Sequence, residues 1–240
     1  MYGDPNRPSD RSRTGRFAED IAVIDKHLGG FPVPVHPPVQ QQIKGWFDAV
    51  LALGLRVKDR EARAHNLRVA RLCVHIGRQM SMSAYELRLL ARAGLMHDIG
   101  KLAIPDTVLG KHSPLDESEW SLMRTHPEMG LTLLDRAGQS SRETLAVLYH
   151  HERLDGSGYP YGLKAEAIPI EARIVAVADT YDALTSDRPY RGACSQAEAR
   201  RVLIEEAGTR LDPKAVSALF TVLDHHVETF ASSSRVALAF

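Results

Sequence analysis

Cysteine is scarce in this chain, with Cys73 and Cys194 the two among 240 residues. Two such residues give no disulfide framework, and neither has a ligand-like spacing, which argues against a thiolate metal site and for a reducing cytoplasm. Net charge is absent as well: Lys plus Arg and Asp plus Glu each number 30. No global field therefore draws the chain toward polymeric nucleic acid or an anionic membrane. Nowhere is there a run of the ~18 apolar residues that a membrane span needs. The polar stretch 1–16 lacks the apolar core of a signal peptide. What is present in quantity is apolar residue, 44%, enough for one sizeable domain with a short appendage.

Gly, Pro, Asn, Asp, Ser and Arg fill residues 1–15, a composition expected to stay disordered. Phe17, Ile21, Ile24 and Leu28 fall at helical spacing, so a short amphipathic helix is expected over 17–28, ended by Gly29 and Gly30. A proline-rich extended linker follows to Pro38. Residues 1–38 therefore read as a helical and extended appendage, and 39–240 as the domain. Within it, helices are expected over 40–57 and 59–80. A third is opened by the capping-box residues Ser83 and Glu86 and ends at His97-Asp98. Asp116 and Glu119 open another to about residue 137, with His126 in its middle. Further helices are expected over 142–152 and 171–186, the latter stopped by Pro189. Ser195 and Glu198 open the next, to about 207, and Asp212-Pro213 starts the last. Val175 and Val177 would suit a strand, but their segment is long and rich in alanine. The fold class is all-α.

The chemistry lies in the histidines. Of eleven, five fall where acidic residues answer them. Glu61 and His65 stand four apart on one helix face. His97-Asp98-Ile99-Gly100-Lys101 follows the apolar run 89–96, and helical spacing would point His97 and Lys101 the same way. His126, the pair His150-His151, and Asp179 in apolar surroundings complete the set. Buried alone, such groups are costly; sharing a metal cluster removes that cost. Imidazole and carboxylate without thiolate suit iron, manganese, cobalt, nickel or zinc. Eight donors exceed one ion and suit two or three, with Asp98 bridging. His27, His36, His75, His112, His225 and His226 have no matching partners and read as surface or core positions. Downstream, Glu152-Arg153-Leu154-Asp155-Gly156-Ser157-Gly158-Tyr159-Pro160 offers a loop that can approach a ligand closely and an aromatic face. Arg188 and Arg191 add forks for phosphate. Metals, a lysine, two arginines and an aromatic together describe a site for a phosphodiester.

These stretches, with Ala178-Asp179-Thr180-Tyr181-Asp182-Ala183-Leu184-Thr185-Ser186-Asp187-Arg188-Pro189-Tyr190, closely resemble the HD-GYP family, cyclic di-GMP phosphodiesterases within the HD superfamily of metal-dependent phosphohydrolases. The resemblance implies an HD-domain helical bundle with a glycine-rich GYP loop. It implies His97, Asp98, His126, His150, His151 and Asp179 as ligands of a metal pair, with Asp98 bridging, His65 as a further ligand and Glu61 as the residue that helps hold a third ion. It implies Lys101 at the scissile phosphate and Tyr159, Arg188 and Arg191 on the substrate. Asp182, one turn after Asp179, joins them in support of a ligand or the substrate. The activity implied is that of a phosphoric diester hydrolase, taking cyclic di-GMP to pGpG or GMP with a hydroxide that bridges two or three ions, iron or manganese foremost. Leu154, Ala165, Ala167 and His112 depart from the family's usual residues, and none is a proposed ligand. A homodimer, and signalling partners such as GGDEF or PilZ proteins, are compatible with the resemblance. Two rivals remain open: a non-catalytic receptor for cyclic di-GMP, and an HD phosphohydrolase for another cyclic dinucleotide or nucleotide.

Overall fold

The computed structural model describes residues 60–136, 142–187 and 192–236. The lead and linker expected over 1–38, the helix over 40–57, and Arg188 and Arg191 lie outside the described residues. Among the described residues every regular element is helical and no strand forms, as the sequence predicts. None of the described helices is long and apolar enough to cross a membrane.

The frame is a bundle around one buried helix. Helices α1 (Arg60–Gln79) and α2 (Ala84–Met96) pack on each other and on α7 (Ile170–Thr185). α7 also meets α6 (Arg142–Tyr149), α8 (Gln196–Glu206) and α9 (Pro213–Val236). With neighbours on so many sides it cannot be amphipathic. Ala172, Ile174, Val175, Ala176, Val177 and Ala178 are all buried, and its alanines let the surrounding helices come close. The β-branched pair Val175 and Val177 is thereby helical, because burial all round outweighs a small difference in propensity. From α1 the core takes Val69, Cys73 and Ile76, so Cys73 is packing.

Local signals fix the ends. The Ser83 hydroxyl accepts the Glu86 amide while Glu86 accepts the Ser83 amide, and Ser195 with Glu198 does the same at α8. Asp212 caps α9, accepting the amides of Lys214 and Ala215. Three cross-helix ion pairs set the register. Arg92 meets buried Glu143 at 3.1 Å, Arg142 meets buried Glu171 at 2.7 Å, and Arg173 meets Asp212 at 2.8 Å.

The structure differs from the sequence reading at four places. The helix expected from 116 to 137 is two, α4 (Glu117–Met123) and α5 (His126–Arg136), so His126 opens a helix instead of sitting inside one. Pro127 is the reason: it lacks an N–H and fits only a first turn. α2 stops at Met96, and a 3-10 turn, Ile99–Ala103, follows the His-Asp step, so His97 and Lys101 do not share a helical face. The helix expected over 142–152 ends at Tyr149. A short helix α3 (Asp106–Leu109), unforeseen, leads toward α4.

Candidate metal centre

Because of those helix ends, the polar set converges. A chain leaving a helix can aim consecutive side chains at one point, as His97-Asp98 do after α2 and His150-His151 do after α6. Only His65 on α1 and Asp179 on α7 project from helix interiors. Gly100 permits this packing. A Cβ there would stand 1.8 Å from the His126 carbonyl oxygen and 2.5 Å from the Gly130 amide nitrogen, so the 3-10 turn rests on the start of α5 backbone to backbone.

Three rings are aimed by carbonyls at the ends of the helices that precede them. His97 Nδ1 lies 2.9 Å from the Gly94 carbonyl, His126 Nδ1 2.8 Å from that of Met123, and His150 Nδ1 2.7 Å from that of Val147. A carbonyl only accepts, so each Nδ1 carries the hydrogen and each Nε2 presents a bare lone pair. The Nε2 atoms of His126 and His150 then face each other at 3.3 Å. Two lone pairs at that distance repel unless a cation lies between them. A proton is disfavoured. Burial lowers the pKa of His126, and burial together with the neighbouring rings pushes His150 well below the ordinary range. Burial likewise takes His151 down to about 3. Neutral buried imidazoles with converging lone pairs could hold a metal ion.

Asp98 stands between two groups. Its Oδ1 is 3.5 Å from His126 Nε2, while its Oδ2 is 3.4 Å from His97 Nε2 and 3.9 Å from His65 Nε2. Asp98, His126, His150 and His151 form one set of donors within 4.8 Å of one another; His65, His97 and Asp98 form another. Asp179 Oδ1 joins the second set, 3.3 Å from His65 Nε2 and 3.9 Å from His97 Nε2. Burial would raise both carboxyls. It is outweighed at Asp98 by Lys101, His97 and His126, and at Asp179 by His65, His97 and His151, so both stay ionised. His65 goes the other way: burial lowers it, but hydrogen bonds to Asp179 and Asp182 carry it up to about 9. The donor set thus fits divalent cations at two adjoining positions that share Asp98.

The remaining predicted residues fall as follows. Lys101 Nζ meets Asp98 Oδ2 at 2.6 Å, with its side chain 40% exposed. The Tyr159 ring stacks on His151 at 4.7 Å, tilted by 25°. Gly158 makes this possible, since a Cβ there would come within 2.5 Å of the Glu152 Cα and the His151 carbonyl. Asp182 is buried and accepts from His65 Nδ1 at 2.7 Å. Glu61 is not brought into either donor set: its Oε1 takes Arg68 Nη2 at 3.1 Å, with two thirds of its side chain exposed.

Two residues escaped the sequence reading. Arg68, which grips Asp182, lies three residues after His65 on the same helix face and was legible from that spacing. Glu152 is buried and accepts the amides of Tyr161 at 2.7 Å and Leu163 at 3.0 Å, folding the loop back on itself. No spacing announces that role, because the loop alone creates it.

The family model described as HD domain matches residues 51–215. The chain belongs to the HD-domain family. The family recognition drawn from the motifs is thus borne out. Over 173 residues this HD domain is 43% identical to the cyclic di-GMP phosphodiesterase response regulator RpfG of Xanthomonas campestris pv. campestris, an alignment covering 70% of this chain and 45% of the relative. It is 37% identical over 186 residues to 3′3′-cGAMP-specific phosphodiesterase 2 of Vibrio cholerae, covering 76% of this chain and 35% of the relative. The chain therefore spans less than half the length of either relative. Among solved structures, Bd1817, an HDG"Y"P protein from Bdellovibrio bacteriovorus, aligns with a TM-score of 0.57 at 20% identity, covering 68% of this chain and 52% of that one. That likeness establishes the shared fold.

Proposed function

We propose that this HD domain is a phosphodiesterase for cyclic dinucleotides, cyclic di-GMP foremost, giving linear pGpG and GMP. The observation that carries the reading is the pair of donor sets meeting at Asp98, with bare histidine nitrogens turned toward each other. His65, His97, Asp98, His126, His150, His151 and Asp179 would hold two divalent ions, iron or manganese before nickel, cobalt or zinc; a third would need Glu61 to leave Arg68. Bound ions at such a centre acidify water and neutralise phosphate charge.

The chain's own groups supply the rest. The reaction adds water across one P–O3′ bond, leaving a 5′-phosphate and a 3′-hydroxyl. Lys101, part-exposed beside Asp98, is the donor for the departing 3′ oxygen. Tyr159 stays protonated, since burial and the charge of Asp98 raise its hydroxyl further above neutral pH, and so it donates to phosphate or base. Arg188 and Arg191 are the proposed anchors for the second phosphate. Holding a flexible ring diester in one pose is itself a large part of such catalysis.

A second substrate, 3′3′-cGAMP, has specific support, because relatives specific for it are 34–37% identical to this chain, a range that overlaps the 36–43% of those named for cyclic di-GMP. The test is turnover of both cyclic dinucleotides by anaerobically purified protein, with metals counted on the same sample. Asp98→Ala should lose the ions and at least ~1,000-fold in rate while remaining helical. Undiminished turnover in that variant would sink the proposal. Tight binding of cyclic di-GMP without turnover by the metal-loaded parent protein would favour a receptor.

A further inference from the structure

The histidines of the centre are not all aimed by the same means. His97, His126 and His150 rely on main-chain carbonyls three residues earlier, at the end of the preceding helix, which no side-chain replacement removes. His65 relies on a carboxylate from another helix: its Nδ1 lies 2.7 Å from Asp182 Oδ2. That carboxylate is itself held. Arg68 Nε donates to Asp182 Oδ1 at 2.7 Å and Arg68 Nη2 to Oδ2 at 3.1 Å, a two-pronged grip. Ser186 adds a weaker bond to Oδ2 at 3.3 Å. On its far side Arg68 Nη2 meets Glu61 at 3.1 Å. Glu61, His65 and Arg68 fall at i, i+4 and i+7 on α1, so one face of that helix carries the ring, its clamp and the clamp's own counter-ion.

Asp182 is 3% exposed, and both its oxygens are committed to this relay. It is thus placed to aim a ring, which favours the first of the two roles, support of a ligand or of the substrate, that the sequence left open. We infer that Arg68 is the positioning residue for one of the two metal positions. It locks Asp182, Asp182 fixes the His65 ring, and Nε2 is thereby kept toward Asp98 and Asp179. The position served by His65, His97 and Asp98 then depends on Arg68. The position served by Asp98, His126, His150 and His151 does not. Outer partners of this kind govern ligand orientation, and their loss weakens metal binding by roughly 10–100-fold. Lysine cannot replace the clamp fully, since a point charge lacks the two-pronged geometry. The inference rests on the metal-centre reading above.

The experiment is titration of the chelator-treated full chain with Mn²⁺ alone, counting bound ions by equilibrium dialysis and following their coupling by electron paramagnetic resonance. The unaltered chain should bind two ions that couple magnetically. Arg68→Gln should keep one ion at parental affinity and bind the other roughly 10–100-fold more weakly, losing the coupled signal at low Mn²⁺. Arg68→Lys should fall between. Equal affinity at both positions in Arg68→Gln overturns the inference. So does equal weakening of both, which would mean a general loosening of α1 against α7. Should Arg68→Gln lose its helical spectrum, Asp182→Asn, nearly isosteric, replaces it with the same expectations. If the unaltered chain takes up no Mn²⁺, the metal-centre reading fails and the inference with it. If it binds two ions and Arg68→Gln does too, only the inference fails.

Discussion

Asp98 illustrates how much one side chain carries: its two oxygens face different rings, and Lys101 balances its charge. Gly100, two residues on, has no functional group and is as demanding. Adding a methyl there drives it into the His126 carbonyl and the Gly130 amide, main-chain atoms that cannot swing away. Gly100→Ala should therefore cost roughly 3 kcal/mol or more of stability in urea denaturation, the upper end for overpacking. It should also lower metal uptake, since it separates Asp98 from His126. A neutral result by both measures would show that the turn can move off α5.

At the scale of elements, helix ends matter more than helix faces. Sequence pattern located α1, α7, α8 and α9 well: α1 has an apolar face, α7 is a long alanine-rich apolar run, and α8 and α9 have cap residues that act locally. It misjudged the segment from 116 to 137, where Pro127 outweighs a continuous apolar pattern. The glycine-rich loop is an element of its own, folded round the Glu152 carboxylate. Glu152→Ala would leave the Tyr161 and Leu163 amides without their acceptor, a cost of about 1–3 kcal/mol for each that stays buried. The loop should loosen and Tyr159 leave the His151 ring. The expected result is a KM about 10-fold higher for cyclic di-GMP with unchanged metal content, since no proposed ligand is touched. Loss of the ions in that variant would show instead that Glu152 holds His151 in place.

At the scale of the whole molecule, the centre couples folding to pH. In chelator, His65 has its pKa raised from 6.5 to about 9, a contribution fully present below pH 6.5 and lost as pH rises through 9. His126, His150 and His151 are lowered from 6.5, so the unfolded chain takes up protons that the folded chain refuses, and stability falls as pH drops below 6.5. Metal-free protein should thus be most stable near pH 6.5 and decline on both sides, as read by chemical denaturation from pH 5 to 9.5. With Mn²⁺ bound the alkaline decline should vanish, because ligands must be deprotonated to bind and the metal removes the His65 proton anyway. A stability curve that is flat from pH 6.5 to 9 without metal would contradict the paired environment of His65.

The sequence by itself determined the helical class, the caps at Ser83, Ser195 and Asp212, and the family. It also singled out His97, Asp98, His126, His150, His151 and Asp179 as residues to be brought together. Those are local or compositional properties: a cap needs only its neighbours, and buried polar residues in apolar runs announce that something must satisfy them. Only the tertiary structure decided how they meet. Which oxygen of Asp98 faces which ring, the bare nitrogens of His126 and His150 turned on each other, and the grip of Arg68 on Asp182 all join residues far apart in the chain. Such contacts arise when α1, α2, α5, α6 and α7 pack around one core, and their geometry is set by that packing, which no window of sequence contains.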